Sequence, residues 1–207
     1  MIIDNCNITA AQIRSNERLR FSNNISYIAA YCTIQAILLE MYGDEAESFA
    51  RFPAYVERYI TTDSNNFVKI KLHQATSHFQ AAFFALVSTQ QSSRWLCTFF
   101  GVNGTYISSQ FRMTLLIVVG IDANNETLPL AWALVPIENQ AWWTWFFKQF
   151  YKAFEYLWSN TCFILDREKG IPKAIEEVLP ENCQAWCCQH IADNIQTKFN
   201  IKCVPLF

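Results

Sequence analysis

The chain opens with helical spacing and turns to strand spacing near its midpoint. Residues 1–24 are polar and weakly patterned, with a short helix predicted around Ala10–Leu19. From Ile25 to Tyr42 the apolar residues Ile25, Ile28, Ala29, Cys32, Ala36 and Leu39 recur at helical intervals, and Gly43 supplies a stop. A second helix is predicted over Ala46–Ile60, carrying Phe49, Phe52, Val56 and Tyr59, with Pro53 straining its first half. Asp63-Ser-Asn-Asn66 reads as a turn, Phe67–Leu72 alternates in the manner of a strand, and a further helix is predicted over Ser77–Val87.

Three β-rich runs follow, Cys97–Ile107, Met113–Ile121 and Leu128–Ile137. The segments between them, Ser108–Arg112 and Asp122–Glu126, have the composition of hairpin turns, so an antiparallel meander is expected. Asn139 can cap a helix running to about Leu157. Its apolar arc takes in Trp142, Phe146 and Phe150 together with Trp143, Phe147 and Phe154. So wide an arc needs cover from the sheet and from something else, for which the N-terminal helices are candidates. A strand at Cys162–Leu165, a helix at Ile171–Val178, a strand at Gln184–Cys188 and a helix from His190 to about Phe199 complete the pattern. Strands alternating with helices require crossovers, and hence parallel additions to the meander. The summed order, βββαβαβα, is that of an α/β ribonuclease H-like mixed sheet. The expected division is an N-terminal helical annex over 1–90 and this core over 91–207.

Composition narrows the function classes. Hydrophobic content of 52% with 16% charged residues supports a packed core and excludes a disordered chain. A net charge of −2 is poor for an autonomous DNA binder, so any grip on nucleic acid must be local. Runs of about 18 apolar residues, the mark of a membrane span, are missing from the sequence, and the first residues do not read as a secretion signal. The eight cysteines are therefore expected as reduced thiols in a nuclear or cytoplasmic, not secreted, protein.

The motifs are more specific. Gly101-Val-Asn-Gly-Thr105 ends the first β-rich run, and Asp122-Ala-Asn-Asn125 forms the turn after the second. Leu128-Pro-Leu-Ala131 and Glu138-Asn-Gln-Ala-Trp-Trp-Thr-Trp-Phe146 come next, then Leu165-Asp-Arg-Glu-Lys-Gly170, and finally Cys187-Cys-Gln-His190 with Asn194. In this order they resemble the transposase domain of Mutator-like elements (MULE), a DDE-type family. The resemblance implies metal-dependent DNA cleavage and strand transfer, with DNA as partner and Mg²⁺ or Mn²⁺ as the ancestral cofactor. Two such ions about 3.5–4 Å apart activate the attacking oxygen and stabilise the leaving one. Hard cations of this kind want anionic oxygen ligands.

By the same resemblance the family's first aspartate falls on Asn103 and its second on Asp166. By the resemblance the family's third acid lies past the Cys-x-x-His run and a further helical insertion, and it is expected to be missing from residues up to Phe207. Replacing a carboxylate by an amide removes one charge at ligand distance. One unit-charge pair at ~4 Å and an effective dielectric of ~20 is worth about 4 kcal/mol. That is on the order of a thousandfold in metal affinity. The expectation is a truncated, degenerate and inactive copy in which Asp166 holds Mg²⁺ weakly. A repurposed DNA- or protein-binding module is the alternative, and self-association through an incompletely covered sheet accords with both.

Other readings compete at single residues. Asp166 could instead cap the helix that follows it. Cys183, Cys187 and His190, with Cys188 or Cys203, admit a structural zinc site, against which stands simple support of the core. Arg167 and Lys169 could meet a DNA phosphate or remain solvated. Asp122 and Glu138 read as turn and capping residues. Trp142, Trp143 and Trp145 are expected in the core rather than as a base-stacking platform.

Overall fold

The computed structural model describes residues 8–73, 78–107, 112–154, 161–166 and 170–200. Arg167, Lys169, Cys203, most of the predicted turn at Ser108–Arg112 and the predicted end of the long helix at Leu157 lie outside the described residues. The chain forms two compact units, Met1–Phe52 and Pro53–Phe207.

The first unit holds α1 (Ala10–Phe21), α2 (Tyr27–Tyr42) and the start of α3 (Glu45–Thr62). Thr9 and Gln12 form a reciprocal capping box that satisfies free amides at the start of α1. The Ser26 side chain accepts from the Ala29 amide and starts α2, and α2 stops at Gly43. Ala10 and Ile13 of α1 are buried with Ala30 of α2, flanked by Ile8, Ile25 and Ile34. Leu19, Phe21, Ile28 and Leu39 remain exposed.

The second unit is built on one seven-stranded sheet. Its strands are β1 (Phe67–Leu72), β2 (Phe79–Ala85), β3 (Phe99–Tyr106), β4 (Thr114–Ile121), β5 (Thr127–Val135), β6 (Cys162–Leu165) and β7 (Cys183–Trp186). They lie in the order β1-β2-β5-β4-β3-β6-β7. The β3-β4-β5 meander is antiparallel, and β6 and β7 add in parallel beside β3. These five strands and the helices between them give the expected ribonuclease H-like α/β arrangement. Among the described residues no helix is long and apolar enough to cross a membrane.

Two expectations give way. The segment predicted as a helix over Ser77–Val87 is strand β2, followed by the short helix α4 (Val87–Ser92). Phe79, Ala82, Phe83 and Leu86 fall at helical intervals by accident of a strand buried on both faces, where no alternation survives. Phe83 packs edge-on against Phe146 on one face, while Phe84 stacks on Trp132 and meets Tyr59 of α3 on the other. Because β2 pairs with β5, the boundary expected near residue 90 falls between elements of one compact unit.

The core is aromatic and centres on α5 (Gln140–Ala153), whose first amides are capped by Asn139 Oδ1 accepting from the Trp142 amide. Trp143, Phe146, Phe147 and Phe150 are fully buried, and Phe150 meets Phe100 of β3, Phe163 of β6 and Phe154. The second side of α5 is covered by α6 (Ile171–Val178), where the N-terminal helices were expected. Thr144 Oγ1 and Lys148 Nζ of α5 both donate to the Glu177 carboxylate of α6 at 3.0 Å, and these contacts hold that carboxyl below its usual range.

Gly170 locks this layer to the loop after β6. It is the residue before α6 and adopts φ +79°, the left-handed region that favours glycine. A Cβ there would lie 2.8 Å from the Gln140 backbone nitrogen and Cα. Gly170→Ala should therefore cost about 2 kcal/mol or more, since left-handed strain adds to a backbone clash. Phe150→Ala should cost about 3–5 kcal/mol, as other buried Phe truncations do. Urea unfolding checks both, against exposed Lys152→Ala, expected within about 0.5 kcal/mol of the parent.

Candidate functional site

The parallel pairing of β3 with β6 builds the site. Phe100 lies opposite Phe163, Gly101 opposite Ile164, and Val102 opposite Leu165. Phe100, Val102, Phe163 and Leu165 turn to the α5 face and are buried. By strand alternation Asn103 and Asp166 follow on the opposite face, one rung beyond the last pair. β7 continues that row, because the Cys187 amide donates to the Leu165 carbonyl at 2.9 Å. Asn103, Asp166 and Cys187 thus occupy successive positions across three strands. Asn103 is not at a strand tip: β3 runs on to Tyr106, paired with β4, after β6 has ended.

The side chains in this row differ in environment. Asn103 is exposed. Asp166 is half-buried, and its Oδ1 is fully buried without a hydrogen-bond partner. Asp166 does not cap α6, because Gly170 occupies the capping position and no side chain bonds the first amides there. Helix α7 (Cys188–Phe199) starts directly after Cys187, and in its first turn His190 Nδ1 is likewise buried without a partner. Buried polar atoms are nearly always bonded, so two orphans near one end of the sheet mark a place suited to a polar ligand.

Glu138 lies on the other face of β3, the α5 face to which Gly104 turns by the same alternation. Its carboxylate carbon and oxygens lie 2.5–2.6 Å from where a Cβ on Gly104 would sit. The residue after Asn103 must therefore lack a side chain while Glu138 keeps its place. Glu138 also accepts from Trp143 Nε1 at 3.3 Å, so it packs between the start of α5 and the bare Gly104 backbone, while capping the helix belongs to Asn139. The presence of Gly104 and Glu138 in two separate motifs was the signal for this contact, but their proximity needed the fold.

A zinc site fits less well. Cys183 opens β7 and Cys187 follows its end, so four residues at about 3.3 Å each separate them. Zinc–thiolate bonds of about 2.3 Å cannot span that distance. Cys188 is exposed in α7, and among the described residues no three His, Cys, Asp or Glu side chains converge on a metal position. Asp122 serves its turn: its Oδ1 accepts from the Glu126 and Asn124 amides at 2.8 Å, which holds the carboxyl below its usual range. Trp143 is buried as expected, whereas Trp142 and Trp145 are half-buried against the core.

No curated protein matches the chain. Residues 99–194 match the family model of the MULE transposase domain, a span that begins at the first residue of β3, ends within α7 and takes in Asn103, Asp166, Cys187 and His190. Sheet order, motif order and this match converge: the chain carries a MULE-type transposase domain, and its function is transposase-derived.

Proposed function

We propose that this domain keeps the scaffold of a DDE-type transposase but not its strand-cleaving chemistry. The carrying observation is the amide at position 103 beside the Asp166 row. The ancestral reaction needs two divalent ions held by carboxylates, which polarise the phosphodiester and the attacking oxygen when bound. Asp166 suits such an ion, with a buried carboxylate oxygen that has no protein partner. Asn103 does not, because a neutral amide offers one weak donor where a charge is needed. Among the described residues no three acidic, His or Cys side chains converge to compensate. The donor set thus fits one weakly held ion and not a two-metal centre.

The register supports a direct test. Asn103 and Asp166 each follow a pair of directly opposed residues, Val102 and Leu165, so restoring an acid at 103 should complete a two-carboxylate position. A second reading, a non-catalytic protein-binding module, draws support from the exposed apolar residues Leu19, Phe21, Ile28 and Leu39 of α1 and α2. The net charge of −2 argues against broad DNA contact in either case.

Calorimetry with Mn²⁺ checks the first reading. Asn103→Asp should tighten binding by two to three orders of magnitude, about 3–4 kcal/mol at an effective dielectric of ~20. Adding Asp166→Asn to that variant should remove the gain. Unchanged affinity in Asn103→Asp would mean that the two positions do not share an ion, and the reading would fall.

A further inference from the structure

Two cysteines stand on one rung at the opposite end of β6 and β7 from Asp166. Cys162 opens β6, Cys183 opens β7, and the parallel register pairs them directly. Directly paired residues of parallel strands project to the same face, and adjacent strands lie about 4.8 Å apart. A disulfide spans roughly 4.4–6.8 Å between Cα atoms, so the rung is within bonding range. The Cys183 side chain is near enough to add to the upward push on the Cys162 thiol.

Backbone contacts fix the rung from both sides. The Cys162 amide donates to the Thr98 carbonyl at 2.8 Å, and the Cys183 amide to the Thr161 carbonyl at 3.3 Å. Asn182 Nδ2 donates to the same Thr161 carbonyl at 3.2 Å. Access is unequal: Cys183 is exposed, whereas Cys162 is 8% exposed. One thiol can meet a reagent from solution, and the other can meet only its neighbour.

We infer that Cys162 and Cys183 form a thiol–disulfide exchange site, in which Cys183 reacts first with a small disulfide and Cys162 closes the bond. The Cys183 thiolate attacks one sulfur of the reagent, whose S–S bond breaks, and the departing thiolate takes up the proton that Cys183 lost. The Cys162 thiolate then attacks Cys183 Sγ, and the second reagent thiol leaves with the Cys162 proton. Two protein thiols are oxidised by two electrons, and one small disulfide is reduced to two thiols. Burial, with the neighbouring Cys183 adding to it, pushes the Cys162 thiol up to about 11. In the closing step Cys183 is held in a mixed disulfide and carries no charge, so burial alone keeps the Cys162 thiol raised, and closure quickens as pH rises and more of it ionises.

The bond would tie β7 covalently to β6. β7 leads through Cys187 into α7 and His190, while β6 leads into Asp166. The exchange chemistry is independent of whether Asp166 binds a metal.

Oxidised glutathione applied to the full chain, followed by alkylation and peptide mass mapping, tests the site. The expected product is a cross-link between the peptides carrying Cys162 and Cys183, reversed by dithiothreitol and formed faster at pH 9 than at pH 8. Cys162→Ala should leave one glutathione on Cys183, and Cys183→Ser should leave Cys162 unmodified. If Cys162→Ala does not fold, the mapping of the parent chain decides alone. Glutathione persisting on Cys183 of the parent at pH 9, or Cys183 linked instead to Cys187 or another cysteine, would overturn the assignment.

Discussion

The register between β3 and β6 is the constraint on which the rest depends. Phe100 and Val102 of one strand and Phe163 and Leu165 of the other all face α5, where Phe147 and Phe150 meet the rings. A slip of one residue would turn every side chain of β6 over, carrying Asp166 toward those rings. Burying an unpaired carboxylate among aromatic side chains costs several kcal/mol, more than the slip could recover from new hydrogen bonds. The alignment of Asn103 with Asp166 is therefore a by-product of core packing. It does not depend on whether an acid or an amide stands at 103, because that side chain is exposed and outside the core.

Much of this was legible in the sequence. Elements with clear periodicity and end signals, such as α2 before Gly43, α5 after Asn139 and α6 after Gly170, appear where their patterns placed them. Strand β2 was not legible, because burial on both faces erased the alternation that identifies a half-buried strand. Its Ala and Gln residues also favour helices, and the pairing with β5 overrode that preference. The motif resemblance singled out residues 103 and 166, and their shared row follows from strand order. The contact of Glu138 with Gly104 depends on how α5 enters from β5, which no local pattern records.

The aromatic load has a structural use. The buried rings of Phe146, Phe147, Phe150, Phe154 and Phe163 form one connected set of edge-on and stacked contacts beneath the sheet. Such pairs contribute about 0.5–1.5 kcal/mol each beyond area burial and are sensitive to ring position. A layer of this kind tolerates exchanges on the far face, where Asn103 lies, better than any change in its own ring shapes. A change of side chain at position 103 and retention of the fold are thus physically compatible.

The pair β1 and β2 changes where the sheet stops. A sheet ending at β5 or β2 would present open backbone groups beside Trp132, or beside Phe83 and Phe84, an invitation to a strand from another molecule. Ending at β1, it offers the exposed Lys69 and Lys71 instead, with Lys71 lying over the Trp142 ring and Lys69 over Phe67. At the opposite flank β7 is four residues long and gives an incoming strand little to pair with. Both borders of the sheet are therefore guarded against aggregation, by charge on one side and by brevity on the other.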